Sequence, residues 1–486
     1  MKYNVATSHP LSSQAGIEVL EKGGNAYDAM LAASSALVVV QPQFNGMGGD
    51  LFATVKDDKY YCINASGYAP ENASIDFYNQ NGLKEIPKKG PLSSFSIPGL
   101  VSSWIIANQR SKLSIKEDFK RAIQFARDGF EPSRKLVKAI NKFDGGDEDF
   151  NSIYKDTEKW LIQKDLGNTL EFLVNNGLES FYTGEIADMI DRDMKEKGGL
   201  ITKEDLASYK AEIVDPIGVK YRDYNVYTNP PVSQGLTAAV WLRDLNKYEL
   251  SGMEHQKYYD TLINTMYDAY NIRRNYVYDG IKLPENIDDL KPDNTKNNSA
   301  KSDLSDTTAY SIFDGNIEIS AIQSNYMGFG SGHTIKGTGI NMNNRGSYFS
   351  LDRDNKNSLK PGKKTFHTLM STIASGQKDI ILGSMGGDVQ PQINVQILSR
   401  IIDLEYGIQN AIAYPRFAYP ASIYGDSKIY YESSLRLDHY EPVDDLNDMM
   451  GHAQGITVDK EREIERGIDP RGDGLLLYMK GKYFTN

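Results

Sequence analysis

Apolar and polar positions change rhythm several times along the chain. Pro10 to Lys22 places apolar residues at helical spacing and stops at Gly23-Gly24, a C-cap signal. Asp28 to Val40 follows as a strongly apolar helix, and FNGMGGDLFATV (Phe44 to Val55) turns on glycines into a strand that KYYCINASG continues. Ser96 to Phe130 returns to helical spacing, entered through IPG. Asp147 to Ser208 reads as several short helices, Tyr221 to Asn229 as a strand, and Gly235 to Asn275 as helical. From Lys291 to Asp306 the periodicity stops. This stretch of Asn, Asp, Ser and Lys buries too little apolar surface to offset its ordering entropy, so a mobile linker is predicted. Beyond it, YSIFDGNIEISAIQ alternates like a strand pair around Asp314-Gly315-Asn316. DIILGSMGGDVQPQINVQIL then gives a strand, a glycine turn and a helix. No repeat is visible. Helices first, a linker, then a sheet-rich part predict an α+β or layered α/β/β/α fold rather than βαβ units.

Composition narrows the function classes. The 486 residues are 40% apolar and 24% charged, which fits a globular protein with a large core. A net charge of -11 without a long basic run argues against nucleic-acid binding, which rests on Lys and Arg neutralising phosphates. The single Cys62 excludes intrachain disulfides and a cysteine zinc site, and its surroundings read as a strand with a buried thiol. The most apolar run, Ala29 to Val40, is too short to span a bilayer, so no membrane partner is expected. The N-terminus shows no apolar leader, which makes the cytoplasm the default location. His9, His255, His333, His367, His439 and His452 are scattered without metal-ligand spacing, and phosphate-loop, zincin and serine-elbow motifs are absent.

The seam between linker and strand carries Asp306, Thr307 and Thr308. A threonine hydroxyl is a weak nucleophile that needs a base. Its own α-amine, with an ordinary pKa of about 7.7 to 8.0, can serve once the residue is the first of its chain. A peptide nitrogen cannot, so the chain must be cut before Thr307. The linker would let the new ends part and the strand would hold the threonine. A Thr-Thr pair at a strand start is also commonplace, and alone it decides nothing. An acyl-transfer site further needs donors for the developing oxyanion. GSMGGD (Gly383 to Asp388), at a strand-to-helix turn, could present backbone N–H groups, or be only a tight turn.

In order along the chain, SHPLSSQAGIEVLEKGGNAYDA, FNGMGGD, SIPGLVSSW, ARDGFEPS, DTTAYSIFDGN, GFGSG, GSMGGD, YPRF and DPRGDG give nearly the whole sequence a resemblance to the γ-glutamyltranspeptidases. The resemblance implies a four-layer αββα sandwich of the N-terminal-nucleophile hydrolase type. It implies a precursor that cuts itself between Asp306 and Thr307, into a large subunit (1–306, with the linker 291–306) and a small subunit (307–486) that form one composite domain. Thr307 would be nucleophile and α-amine base, with Thr308 beside it, Gly386 and Gly387 as the oxyanion hole, and Ser324 supporting the nucleophile. The implied partners are a small-molecule amide and the two subunits of one precursor. Whether such heterodimers associate further is left open, and no metal or organic cofactor is implied.

The departures from the family pattern fall on the substrate. Where γ-glutamyl-binding members carry an Arg for the α-carboxylate, this chain has Ile75. Where they carry an acid for the α-amine, it has Arg345, Gly346, Ser347 and Tyr348. A carboxylate-gripping Ser pair becomes His367-Thr368. Losing the Arg loses a charge-assisted pair, and Arg345 would repel an ammonium. NNRG with FHT resembles the acylase-like branch, similar to cephalosporin acylases. Arg345 would there anchor an acyl group's free carboxylate, or else face solvent or an internal acid. The expected activity is an autoprocessing amide hydrolase or acyltransferase acting on γ-glutamyl or related acyl amides. The alternatives are a glutaryl or cephalosporin-type acylase and an uncut, non-catalytic binding relative.

Overall fold

Two antiparallel sheets stack face to face, and each contains strands from both early and late in the chain. In a computed structural model the described residues are 3–155, 157, 159–292, 307–420, 428–473 and 475–477, so the expected linker 291–306 lies outside them from residue 293 onward. The first sheet runs in the order Leu475–Leu477, Asn4–Thr7, Thr308–Phe313, Glu318–Ser324, Asp50–Lys56, Tyr60–Ala65, Glu212–Val214. The second runs Ile464–Ile468, His452–Asp459, Lys378–Met385, Ser371–Ser375, Tyr224–Thr228, Ile217–Tyr221.

Phe52, Ala309, Ile322 and Leu369 fill the space between the sheets at one end, and Phe313, Ile373, Ile381 and Ile456 at the other. The outer face of the first sheet is covered by Pro10–Glu21, Ala26–Val40, Leu100–Asn108 and Ile115–Asp128. The outer face of the second is covered by Gly235–Leu245, His255–Tyr276, Gln390–Ile402 and Ile408–Ala413. The result is the four-layer αββα sandwich. Helix Ala26–Val40 is buried on every side, as its strongly apolar composition requires, and starts from a capping box of Asn25 and Asp28.

The alternation after residue 307 has a cause other than contact with water. Every residue of Thr308–Phe313 is buried. Tyr310 and Ile312 enter the core shared with the helices, whereas the Ser311 hydroxyl donates across to the Ile381 carbonyl at 3.1 Å. On the neighbouring strand Ile319 and Ala321 likewise face the helices, and the Ser320 hydroxyl donates to the Leu382 carbonyl at 2.7 Å. Even and odd positions therefore look into two different buried layers.

Three boundaries differ from the sequence-based expectation. Six of the strands precede residue 291, so the chain is not helical first and sheet-rich later. Tyr221 ends one strand and the next starts only at Tyr224, with Arg222 at φ 53° making the hairpin. The helical span from Gly235 is two helices, broken between Leu245 and His255 around Ser251-Gly252. Cys62 is buried, and burial pushes its thiol up to about 12, which makes it unreactive.

Candidate active site

Strand register brings the seam into a row of polar side chains. Thr308 pairs with Gln323, and Ser324 pairs with Asp50 on the next strand. One step further along the same ladder sets Thr307 opposite Ser324. Residues opposite each other share a face, so Thr307, Ser324 and Asp50 all look toward the second sheet. Two strand spacings separate the ends of this row, about 10 Å. Thr307 is 0% exposed, and its hydroxyl finds no hydrogen-bond partner among the described residues. Ser324 is equally buried and its hydroxyl accepts from the Tyr326 N–H at 2.8 Å.

The glycine turn reaches the same level from the other sheet. Ser311 touches Ile381, and a Cβ on Gly383 would lie 2.9 Å from that of Ala309. The two strands thus descend together in opposite directions, and two more residues carry Thr307 to the level of Met385. There the strand ends in Gly386 (φ 141°) and Gly387 (φ 57°), backbone that L side chains rarely adopt. Helix Gln390–Ile402 follows, with Pro391 in its first turn. Successive turn N–H groups of this kind make a concavity that suits an anion.

A hydrogen-bonded frame fixes that turn. Gln234 Nε2 donates to the Thr368 carbonyl at 2.6 Å and to the Gly387 carbonyl at 2.8 Å. Arg273, buried over the Tyr270 ring, pairs with Asp388 and donates to Gln234 Oε1 at 3.0 Å. Beneath Gly386 lies Gly451, whose carbonyl accepts from Arg416 Nη1 at 3.2 Å. Arg416 in turn pairs with Asp469, and Arg471 pairs with Asp469 and Glu432, all fully buried. The YPRF and DPRGDG segments, quoted above without a role, thus meet in one ion-pair network.

Arg345 is 0% exposed and occupies the far end of the polar row. Its Nε lies 3.4 Å from Asp50 Oδ2, its Nη1 donates to Thr368 Oγ1 at 3.4 Å, and its guanidinium stands 4.2 Å above the Tyr326 ring. Nη2 has no hydrogen-bond partner among the described residues. Of the two readings open for Arg345 at an inward position, an internal acid is therefore present. Asn343 holds the segment by accepting from the Arg345 N–H at 2.9 Å and donating to the carbonyls of Gly48 and Ser96, which ties it to the FNGMGGD and SIPGL stretches. Gly48 is required there, because a Cβ would lie 2.4 Å from the Asn341 carbonyl.

His367 donates Nε2–H to Asp50 Oδ2 at 3.0 Å, and its Nδ1 lies 3.4 Å from the Leu369 N–H. Burial, reinforced by Arg345, lowers its pKa to about 4. Burial alone would raise the Asp50 carboxyl, but His367, Arg345 and the Gly67 N–H hold it below the usual carboxylate range. At neutral pH the trio is a neutral imidazole, a carboxylate and a guanidinium with one free edge.

Other expected residues fall elsewhere. Thr308 points to the opposite face, where its hydroxyl meets Ser8 and Gln41 Oε1, the latter at 2.9 Å. Ile75 is 5% exposed and packs with Tyr78, Phe95 and Phe349 in a separate apolar cluster. Tyr348 packs, tilted, between the rings of Tyr326 and Phe366. Asp306 lies outside the described residues. Asp50, Gln41, Gln234 and Arg273 were not singled out in the sequence. Only Asp50 had a signal, as the acid ending FNGMGGD.

Comparisons agree over the whole length. The chain is 32% identical to a glutathione hydrolase-like YwrD proenzyme of Bacillus subtilis, across 98% of each chain. It is 29% identical to an oxamate amidohydrolase proenzyme of Klebsiella pneumoniae, across 96% of each. A cephalosporin acylase structure from Bacillus halodurans superposes with a TM-score of 0.88 at 30% identity, covering 99% of this chain and 96% of that one. The family model described as gamma-glutamyltranspeptidase matches residues 12–479, and the chain belongs to that family of amide hydrolases and transferases.

Proposed function

We propose that this protein is an autoprocessing amide hydrolase that uses Thr307 as nucleophile on acyl groups bearing a free carboxylate. The observation that carries the reading is the Thr307 hydroxyl, buried and unpartnered, in one row with Ser324 and Asp50 and level with the Gly386-Gly387 turn. In processing, Thr307 Oγ1 attacks the Asp306 carbonyl, the C–N bond breaks, and water hydrolyses the resulting ester. That leaves an Asp306 carboxylate and a free Thr307 amine. Segments 1–306 and 307–486 stay together, because strands of both pair within each sheet.

In turnover, the freed amine takes the hydroxyl proton as Thr307 attacks the substrate amide. The N–H groups of Gly386 and Gly387 stabilise the tetrahedral oxyanion, and the proton passes to the leaving amine. Water resolves the acyl-enzyme. Ser324 holds the nucleophile's surroundings from the adjacent strand. The free edge of Arg345, with Thr368 beside it, takes the acyl carboxylate. About 10 Å between the ends of the row leaves room for an acyl chain of a few carbons. A γ-glutamyl group fits less well, because its ammonium would face the Arg345 guanidinium. The relatives' names span glutathione, oxamate and cephalosporin, so names alone do not choose the acyl group.

Intact mass under denaturing conditions tests the nucleophile. The 54.4 kDa chain should give fragments of about 34 and 20 kDa by share of residues, and Thr307→Ala a single uncut chain without activity. A wild-type chain that stays whole, or an active alanine variant, overturns the assignment. Chromogenic glutaryl and γ-glutamyl anilides then identify the acyl group.

A further inference from the structure

Tyr326 is 2% exposed and has a φ of 80°, a conformation that L side chains rarely adopt. Its neighbours leave it little choice. Asn325 donates its N–H to the Phe44 carbonyl at 3.0 Å, and its own carbonyl accepts from the Asn344 N–H at 3.2 Å. The Met327 N–H donates to Asn344 Oδ1 at 3.0 Å. The residues before and after Tyr326 are thus both tied to Asn344, the residue next to Arg345. Strained backbone held this firmly clusters where a site depends on exact geometry. Two contacts of Tyr326 reach the two ends of the site. Its N–H donates at 2.8 Å to Ser324 Oγ, opposite Thr307 on the ladder. Its ring lies 4.2 Å beneath the Arg345 guanidinium. Hydrogen bonds alone aim that guanidinium poorly, because Asp50 Oδ2 and Thr368 Oγ1 each lie 3.4 Å away, beyond the usual N–H···O range. The ring face supplies the missing orientation, since a guanidinium stacks on an aromatic face.

We propose that Tyr326 is a positioning residue that fixes the length of the carboxyacyl chain this protein accepts. This role rests on the amide-hydrolase reading above, in which Thr307 takes the acyl carbonyl and Arg345 the far carboxylate, and it adds the choice among carboxyacyl groups. A single residue that touches Ser324 with its backbone and Arg345 with its ring holds the two ends at one separation. Tyr348 packs against the same ring, with centroids 5.3 Å apart, so the ring cannot swing aside freely. An acyl chain one methylene too short leaves its carboxylate off Arg345. One methylene too many pushes the carbonyl past the nucleophile. A guanidinium without the ring beneath it could follow either chain.

The test uses succinyl, glutaryl and adipyl anilides, which differ by one methylene each. The wild type should prefer one of them, with its neighbours in the series at least about tenfold lower in kcat/KM, the scale of one methylene in a fitted pocket. Tyr326→Asn and, separately, Tyr326→Gly accept the positive φ and keep the N–H to Ser324, but remove the ring. Each should lower kcat/KM for the preferred anilide by about tenfold, mainly through KM, as expected when a desolvated cation–π contact is lost. Each should also narrow the spread between neighbours to well under about tenfold. Tyr326→Phe keeps the ring and should retain the preference. Melting curves identify the ringless variants that fold. A purely structural role would lower all three anilides alike and keep their order. That outcome, or a wild type that cleaves all three equally well, overturns the proposed role and leaves the amide-hydrolase reading standing. A wild type that cleaves no anilide overturns that reading itself.

Discussion

Arg345 Nε stands 3.4 Å from Asp50 Oδ2, and neither side chain reaches solvent. A buried pair at this separation is loosely closed, and Asp50 divides its oxygens between Arg345, His367 and the Gly67 N–H. The guanidinium keeps an open edge next to Thr368 that a carboxylate can complete with a charge-assisted bond. Arg345→Gln should lower kcat/KM for carboxyacyl anilides about a hundredfold, or ~3 kcal/mol, the upper range for a hydrogen bond to a charged group. A neutral acetyl anilide should lose far less. Equal losses on both would assign Arg345 a structural role only.

The turn at Gly386-Gly387 rests on side chains outside the row of Thr307, Ser324 and Asp50. Gln234 joins the Gly387 carbonyl to the Thr368 carbonyl, and Arg273 holds Gln234 from behind. Gln234→Leu keeps the bulk and removes both bonds. Oxyanion donors act only in the transition state. The variant should therefore lower kcat by about tenfold while KM stays within about twofold. A change confined to KM would place Gln234 in substrate binding instead.

Much of this arrangement was legible in the sequence, and its gaps have physical reasons. The glycines of GSMGGD mark a backbone that only glycine adopts readily, and a strand beginning at the seam fixes which way Thr307 points. Thr308 is one residue away and faces the helices, a consequence of the two-residue strand period that its proximity concealed. The strand Asn4–Thr7 carries no local signal, because both its partners, Thr308–Phe313 and Leu475–Leu477, lie hundreds of residues later. Asp50 illustrates the same limit. Its importance comes from His367 and Arg345, both about 300 residues away, and no local pattern encodes such a meeting.

Ile75 stands where a carboxylate-binding Arg would be expected from the family pattern, and it now packs against Tyr78, Phe95 and Phe349. Ile75→Arg would put a charge into an apolar cluster. It should lower the melting temperature by several degrees and leave KM for γ-glutamyl anilide high. A stable variant with a large drop in KM would show that position 75 opens onto the acyl pocket.

Away from the site, the helix starts at Asp28 and Asp118 bring two carboxyls together. Asp118 is 1% exposed, and burial, with Asp28 beside it, raises its pKa to about 8. Its ordinary value is near 3.8. The folded state therefore binds a proton that the unfolded chain gives up, and stability falls as pH rises from about 4 to about 8. Above that range Asp118 must ionise in a buried site beside Asp28. Asp118→Asn keeps the shape and abolishes the titration. It should melt close to the wild type at pH 5 and several degrees above it at pH 9. Thermal scans across this range distinguish the outcomes, because identical curves at both pH values would mean that Asp118 does not hold its proton at neutral pH.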